Sequence, residues 1–545
     1  MDGLMQDVPL TLVHAFERCE RLFGAKTVVT SSGRGLDTRT YAEWAQRTRR
    51  LGGVFDQLNL TSEARVGTFA WNTGRHLELY FAAPCSGRVL HTLNIRLFTE
   101  QLVYIANHAE DEAIFVDRSL LTLLWPMIDE MKTVRHVIVM DDCGEASGAP
   151  DIPDDPRIAD YEQLLAAAEP VEWHVADERQ AASMCYTSGT TGNPKGVVYS
   201  HRSSLLHAMG VLTTDSVGLS ESDVVLPIVP MFHANSWGLA HASVLCGAAQ
   251  VMPGPDLSPA ALGRLISTQR VTLSGGVPTI LAGLLPLIEA GEVDASSIRT
   301  LLCGGSAVPR ALMEGFHRQG IWISHAWGMT ETSPIASVSH IKQSLQPVSE
   351  EDEVNYRLSQ GLPSPLVDTR VVEPGTMNPL PWDGESTGEL QVRGPWIASQ
   401  YYRLEGTADS PNTADGWLKT GDVAAIDAEG YIRLKDRTKD LVKSGGEWIS
   451  SVELENAIMG HPDVVEAAVV GVSHPKWDER PLACVVLREG AVMTREDLRA
   501  FLDGKVAKWW LPDDVVVIDT VPKTSVGKFD KKVLRQRFAD HPLPD

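Results

Sequence analysis

The sequence predicts an α/β protein with a large N-terminal domain of layered sheets and helices and a small, mobile α+β C-terminal domain. Two observations carry this. Runs rich in β-branched residues alternate with helix-like runs over most of the chain, the pattern of helices covering a largely parallel sheet. After about Leu434 the texture changes, and a mixed piece of about a hundred residues begins that is large enough to fold alone. The full 545 residues set a prior of three to four units at roughly 150 residues each. The patterning narrows it to one composite domain and one cap.

The elements follow in order. Residues 66–70 (VGTFA) read as a buried strand, and 76–87 (HLELYFAAPCSG) as a helix stopped by Gly87. Residues 137–140 (VIVM) and 271–273 (VTL) are further short strand-like runs. The acidic, Pro-, Gly- and Asp-rich stretch 141–156 reads as a surface loop, and 349–355 (SEEDEVN) as a second exposed acidic stretch. Beyond Leu434, Ser450-Ser451-Val452-Glu453 has capping-box spacing and opens a helix that stops at Gly460. Strands are expected at 464–472, 482–487 and 514–518, and a helix at 494–503 with Gly504 behind it. The polar joint Lys435-Asp436-Arg437 divides the chain into domains 1–435 and 436–545, with no internal repeat in either.

Charge and cysteine usage exclude several classes. The chain holds 48 Lys and Arg against 71 Asp and Glu, a net of −23. So acidic a protein is a poor general binder of nucleic acid or anionic membrane. The acidity is uneven: residues 437–545 carry 16 basic and 18 acidic residues, and the rest carry 32 and 53. Within the small domain, residues 523–537 hold six basic residues against one acid, Asp530, a local arm suited to small polyphosphates. Seven scattered cysteines with no CxxC pair argue against a disulfide framework and a zinc site, and fit a reducing cytoplasm. The first residues lack the basic and apolar regions of a signal peptide. No run of eighteen apolar residues occurs, the nearest being broken by His233, Asn235 and His241, so no integral membrane segment is expected.

The strongest local motif is Tyr186-Thr187-Ser188-Gly189-Thr190-Thr191-Gly192-Asn193-Pro194-Lys195-Gly196. Its glycines admit close approach of an anion, and its hydroxyls and Lys195 supply donors. A β-branched run and a Ser200-capped helix follow. Composition alone leaves a phosphate loop and an ordinary Gly/Thr-rich loop evenly matched. It is not a Walker A loop, because Pro194 and Gly196 stand where that pattern needs Gly and Ser or Thr.

The stretch YTSGTTGNPKGVVYSH resembles the phosphate loop of the adenylate-forming superfamily, which includes acyl-CoA synthetases, luciferases and peptide-synthetase adenylation domains. Further motifs of that superfamily follow in order: PMFH at 230–233, CGGS at 303–306, WGMTET at 327–332, GEL at 388–390 and GWLKTGD at 416–422. DRTKD at 436–440, KSGGEW at 443–448 and PKTSVGK at 522–528 complete the set. The resemblance spans nearly the whole chain and points to the acyl-CoA synthetase, or fatty-acid–CoA ligase, branch.

That resemblance implies a two-step reaction. A carboxylate attacks the α-phosphate of ATP to give an acyl-adenylate and pyrophosphate, and a thiol then displaces AMP. Lys528 would bridge the carboxylate and the α-phosphate, with Thr330, Glu331 and His233 completing the catalytic set. Thr187, Ser188, Gly189, Thr190, Thr191, Gly192 and Lys195 would hold phosphate, and Thr187 and Glu331 the Mg²⁺, a hard ion suited to oxygen ligands. Thr330 would hydrogen-bond the α-phosphate, Asp422 would take the ribose hydroxyls, and Arg437 would support it. Gly304, Gly305 and Ser306 would line the adenine slot with Trp327 against the base, and His325 and Gly328 are counted among the nucleotide-binding residues. Trp327 stands where many relatives have Tyr, so stacking is expected to survive.

Lys439, Lys443, Gly445, Gly446 and Trp448 match nucleotide- and pantetheine-contacting positions, and Asp436 matches a hinge about which the small domain turns between half-reactions. The acid pocket is assigned to His233, Trp237, Gly275, Gly276, Val277 and Gly304, with Trp237 either gating an acyl tunnel or serving as an ordinary core aromatic. No acidic residue follows His233, so an α-amino acid is disfavoured. The chain ends soon after Lys528, so free coenzyme A is the expected thiol rather than a fused carrier, with Lys476, Trp477 and Arg480 as a candidate cluster for its nucleotide end. The expected partners are a small carboxylic acid, ATP and CoA in the cytoplasm, with a homodimer left open. The alternatives are an acyl-AMP ligase loading a separate carrier protein and a ligase for a short, aryl or methylthio-alkanoic acid.

Overall fold

The computed structural model describes residues 1–545 except 2, 34, 145–148, 188–192, 405–409, 446, 524–528 and 545, and of residue 447 the backbone only. Two large sheets dominate the first four hundred residues. One has seven strands, in the spatial order Ile158–Asp160, His136–Met140, Asp111–Asp117, Arg65–Phe69, Val89–Thr92, Ala181–Tyr186 and Gly196–Ser200. All neighbours are parallel except the last two, which form an antiparallel hairpin. The other has nine strands. Its parallel centre runs through Ile323–Gly328, Thr300–Gly304, Leu273–Gly276, Val224–Pro227, Ala249–Met252 and Thr27–Ser32, with antiparallel strands at both edges.

The helices Leu12–Leu22, Tyr41–Gln57 and Gly74–Cys85 share one core with residues of both sheets, among them Val66, Leu90, Ala182, Val28 and Met252. Residues 76–85 of the third helix are buried on every face, as a helix with apolar neighbours all round must be. Gly87, with φ +76°, ends it as expected.

A four-stranded antiparallel sheet follows, from Asp368–Val372 through Gly388–Arg393 and Leu418–Ile426 to Ile432–Arg437. Asp436 and Arg437 are the last two residues of its final strand, opposite Val423 and Asp422. The joint read from the sequence is therefore a strand end. Beyond it lies a smaller domain. Asp478–Leu487 pairs with Val464–His474, Val442–Ser444 and Asp514–Val517, and Glu447–Ile449 extends the edge. Helices Ser451–Met459, Arg495–Leu502 and Lys531–Arg537 cover the sheet. Its two apolar clusters contain no residue before Val442.

Two readings are corrected. Residues 349–355 belong to a helix, Glu350–Leu358, whose N-cap Ser349 accepts from the Asp352 N–H at 3.0 Å. Its acidic first turn complements the helix dipole. Only Val354 is buried, so the segment has no apolar stripe to betray it. The strand expected at 271–273 lies instead at Leu273–Gly276. Its two glycines suppressed the signal, and parallel pairing with Thr300–Gly304 and Val224–Pro227 overrides their low strand preference. Among the described residues, no helix is long and apolar enough to cross a membrane.

Candidate active site

In open parallel sheets, ligands bind outside the carboxyl ends of the strands. In the nine-stranded sheet, three such ends lead directly into Met231–His233, Gly304–Gly305 and Trp327–Gly328. A cavity of about 240 Å³ opens there, lined by Thr187, Lys195, His233, Trp237, Gly305, Trp327, Gly328, Thr330, Glu331 and Arg437 among others. Residues up to 250 positions apart in the sequence thus meet at one place, as the motif reading requires.

The expected phosphate loop connects Ala181–Tyr186 to Gly196–Ser200, which pair antiparallel. Its mouth is closed by the Thr187 N–H donating to the Lys195 carbonyl at 2.9 Å, and by the Lys195 N–H donating to Thr187 Oγ1 at 3.2 Å. Gly196 is closely packed there, since a Cβ would come within 3.1 Å of the Tyr186 ring and 3.2 Å of Tyr402. Tyr186 itself is braced by His108, whose Nδ1 lies 2.7 Å from the phenol oxygen. Ser188, Gly189, Thr190, Thr191 and Gly192 lie outside the described residues, as do Gly446 and Lys528.

Thr330 and Glu331 sit on a short 3-10 turn, Thr330–Thr332. Three partners pin it. The Tyr199 hydroxyl donates to the Thr330 carbonyl at 2.7 Å, and the Ala398 N–H donates to the Glu331 carbonyl at 2.8 Å. The Tyr401 hydroxyl donates to Glu331 Oε1 at 2.6 Å. Burial holds the Tyr199 phenol well above its ordinary pKa, which keeps it a donor. Tyr401 also places its ring 5.0 Å from Lys195 Nζ and lines the cavity. The sequence reading missed it, because it lies in irregular chain outside every motif quoted.

The expected ribose ligand, Asp422, is oriented from two sides. Trp327 Nε1 donates to its Oδ2 at 2.9 Å, and Arg437 Nε lies 3.3 Å from its Oδ1. Trp327 thus anchors a carboxylate as well as presenting a flat face. His325 stands apart: it is buried, its Nδ1 lies 3.0 Å from the Leu358 carbonyl, and it is not part of the cavity wall. Ser306 is exposed.

The acid side is shaped by an unusual backbone. Ala234, Asn235, Ser236 and Trp237 have φ between +42° and +55°, and Gly238 follows at +76°. Such a left-handed turn costs roughly 1–2 kcal/mol per non-glycine residue. Local bonds offset it: Ser236 Oγ donates to the Val229 carbonyl at 2.9 Å, and Asn235 Nδ2 donates to Ser183 Oγ at 3.1 Å. The turn sets the Trp237 indole against Gly304, where a Cβ would lie 3.3 Å from the ring and 2.5 Å from the Ala326 carbonyl oxygen. Gly275 and Gly276 are buried in the neighbouring strand, Gly275 beneath Leu302 and Leu239. Neither they nor Val277 is on the wall of the cavity.

On the small domain, Lys443 is exposed with its Nζ 5.0 Å from the half-exposed Trp448 ring. Lys439 is also exposed. Gly445, at φ +64°, donates to the Trp477 carbonyl at 2.8 Å, and a Cβ there would be 2.7 Å from the Trp477 ring. The cluster expected from Lys476, Trp477 and Arg480 divides. Lys476 lies over Trp477 at the surface, but Arg480 is buried and saturated. Its guanidinium donates to Asp513 at 2.8 and 2.9 Å, to Ser444 Oγ at 2.8 Å and to the carbonyls of Trp509 and Leu511. It is a strut beneath the 443–448 loop.

A carboxylate-bearing turn and a cavity at the carboxyl ends of parallel strands, with Asp422 held nearby on the antiparallel sheet, give an α/β site of the kind that binds small ligands. Comparison with known proteins narrows this. The family profile for "AMP-binding enzyme" matches residues 16–402, and that for "AMP-binding enzyme C-terminal domain" matches 453–528. The chain is 47% identical to a long-chain-fatty-acid–CoA ligase of Thermus thermophilus, over 98% of this chain and 97% of the other. It is 44% identical to a 3-methylmercaptopropionyl-CoA ligase of Ruegeria pomeroyi, over 99% of each. A crystal structure of ATP-bound MatB from Rhodopseudomonas palustris superimposes with a TM-score of 0.81 at 25% identity, over 97% of this chain and 99% of that one. The chain belongs to the AMP-binding enzyme family, in its acyl-CoA ligase branch.

Proposed function

We propose that the protein activates a fatty acid or similar carboxylic acid as its acyl-adenylate, releases pyrophosphate, and passes the acyl group to CoA with loss of AMP. The observation that carries this reading is the convergence on one cavity of Thr187 and Lys195, Thr330 and Glu331, Trp327 and Arg437, and His233 and Trp237.

Two anions must meet in the first step, so positive charge has to offset their repulsion at the phosphorus. Lys195 stands at the phosphate end, and Lys528 is the residue we assign to the carboxylate and α-phosphate. Thr330 donates to the α-phosphate as charge builds there. Glu331 and Thr187 offer a carboxylate and a hydroxyl on one wall, a hard-oxygen set that fits Mg²⁺. When bound, that ion neutralises phosphate charge. Asp422, held by Trp327 and Arg437, takes the ribose hydroxyls, and Gly304, Gly305 and Ser306 border the adenine beside Trp327. In the second step the small domain pivots at Asp436, the start of the domain 436–545, and presents Lys439, Lys443, Gly445, Gly446 and Trp448. The seven unpaired thiols fit a reducing cytoplasm, and a homodimer is the assembly to test by mass in solution.

The length of the acid is best read at Trp237. With the indole packed against Gly304, a long acyl chain needs the ring to move, whereas a short acid such as a methylthio-alkanoate makes a smaller demand on it. AMP release with CoA over acids from three to eighteen carbons tests both readings. Trp237→Ala is expected to lower the preference for short acids over long ones. Loss of CoA dependence would overturn the ligase assignment, and AMP formation unchanged in Lys528→Ala would overturn the role of that lysine.

A further inference from the structure

Ala234 to Trp237, four consecutive non-glycine residues at positive φ, hold a backbone that persists only where its surroundings over-determine it. Some of the holding is local. Ser236 Oγ donates to the Val229 carbonyl at 2.9 Å, and the Ser236 N–H donates to the His233 carbonyl at 3.1 Å. Both acceptors lie in the connection that carries the turn, between the strand Val224–Pro227 and the helix Leu239–Cys246, so these bonds can travel with it.

Asn235 does something different. Its buried side chain leaves the turn and crosses to the seven-stranded sheet, where it meets two buried residues of the strand Ala181–Tyr186. Ser183 and Cys185 are two positions apart and face the same side of that strand. Asn235 Nδ2 donates to Ser183 Oγ at 3.1 Å, and its Oδ1 accepts from the Cys185 thiol at 3.5 Å. Burial raises the pKa of that thiol, which keeps it protonated and able to donate. Cys185 is fixed in turn by Thr92 Oγ1, 3.2 Å away on the neighbouring strand Val89–Thr92. Asparagine suits both tasks. It is one of the few residues besides glycine that visit left-handed backbone readily, and its amide carries a donor and an acceptor. Either one left unpaired in the interior would be costly.

Two residues on, the Trp237 indole is packed against Gly304 and forms part of the cavity wall. It shares an apolar cluster with Val229, Leu239, Leu302 and Ala326. In an interior packed this closely, a ring of that size shifts together with the backbone that carries it. Moving the ring therefore strains or breaks the bonds of Asn235. We propose that Asn235 is a specificity-determining residue: by pinning the turn to Ser183 and Cys185 it raises the cost of displacing Trp237, and so biases the enzyme against long-chain acids. The proposal deepens the reading of Trp237 given above and rests on it.

The test compares kcat/KM for dodecanoate and for butyrate, read as CoA-dependent AMP release by the full-length enzyme. Asn235→Gly removes both bonds, and glycine keeps the positive φ without strain. The dodecanoate-to-butyrate ratio is expected to rise about fivefold or more, the worth of roughly one net hydrogen bond. Ser183→Ala leaves the turn's own residues in place and is expected to shift the ratio in the same direction by less. It decides alone if Asn235→Gly does not fold. On a Trp237→Ala background, Asn235→Gly is expected to shift the ratio no further, because no ring remains to be held. A purely structural asparagine would instead weaken both acids alike. A ratio that stays unchanged or falls in Asn235→Gly and Ser183→Ala, or a shift that adds in full to that of Trp237→Ala, overturns the proposal. Trp237→Ala alone separates this from failure of the underlying reading: if its ratio matches the parent's, the role given to Trp237 is what has failed, and the proposal falls with it.

Discussion

At the scale of single residues, the site is built from pairs that no motif lists together. Trp327 and Asp422 are 95 positions apart, yet one indole N–H orients the carboxylate. A hydrogen bond to a charged group contributes about 1.5–3 kcal/mol. Trp327→Phe keeps a stacking face and loses the donor, so the KM for ATP is expected to rise about tenfold or more, with kcat less affected; an unchanged KM would show that Arg437 suffices. Tyr401→Phe removes the donor from Glu331 while leaving the ring beside Lys195. Its expected signature is a several-fold higher Mg²⁺ requirement for AMP formation, read by titrating the metal at saturating ATP. Trp327 and Asp422 were both visible as motif positions, but their contact was not. Tyr401 had no signal, because a lone tyrosine in irregular chain has neither periodicity nor spacing to mark it.

At the scale of elements, most of the helices and strands read from the sequence stand, because their cues were local. Ser200 and Ser450 each cap the helix expected behind them, and Thr494, read as the first residue of its helix, is its N-cap. The left-handed turn at 234–238 was invisible, since four non-glycine residues at positive φ contradict local preference and persist only where surrounding contacts over-determine them. Gly238 is its fixed point: at φ +76°, a Cβ would lie 2.5 Å from the His207 ring. Gly238→Ala is therefore expected to cost about 2 kcal/mol or more, seen as a lower denaturant midpoint for the large domain, and to perturb the acid pocket through Trp237. A midpoint unchanged from the parent would mean that the turn relaxes freely.

At the scale of the whole molecule, the buried histidines of the large domain and the buried carboxyls of the small one should answer pH with opposite signs. In the large domain, burial pushes the imidazoles of His76, His201 and His241 down to about 4 and that of His207 to about 3. The unfolded chain then binds more protons, so their contribution is present above about pH 6.5 and is lost as pH falls toward 4. In the small domain, burial pushes Glu455 up to about 7 against the pull of Lys531, and Asp436 is raised for the same reason. There the folded state binds more protons, so the contribution is full below about pH 4.5 and is lost as pH rises toward 7. Burial also raises the Asp111 and Asp117 carboxyls of the large domain, which oppose its histidines, so calorimetry from pH 5 to 7 should resolve a large-domain transition that rises relative to a small-domain transition that falls or lags. Glu455→Gln should flatten the second, and parallel shifts of both transitions would contradict the assignment.

The sequence by itself determined the fold class, the family, the succession of motifs and the change of texture near Leu434. These rest on alternation, capping and short spacings, which act within a few residues. Only the tertiary structure decided which motif residues face one cavity, that Arg480 is a strut and His325 faces a backbone carbonyl, and that Lys531 is buried against Glu455 and Ser451. Those outcomes depend on burial and on pairings across tens to hundreds of residues. A charged side chain in a basic arm looks the same in sequence whether it meets water, a phosphate or a buried carboxylate, and only packing distinguishes them.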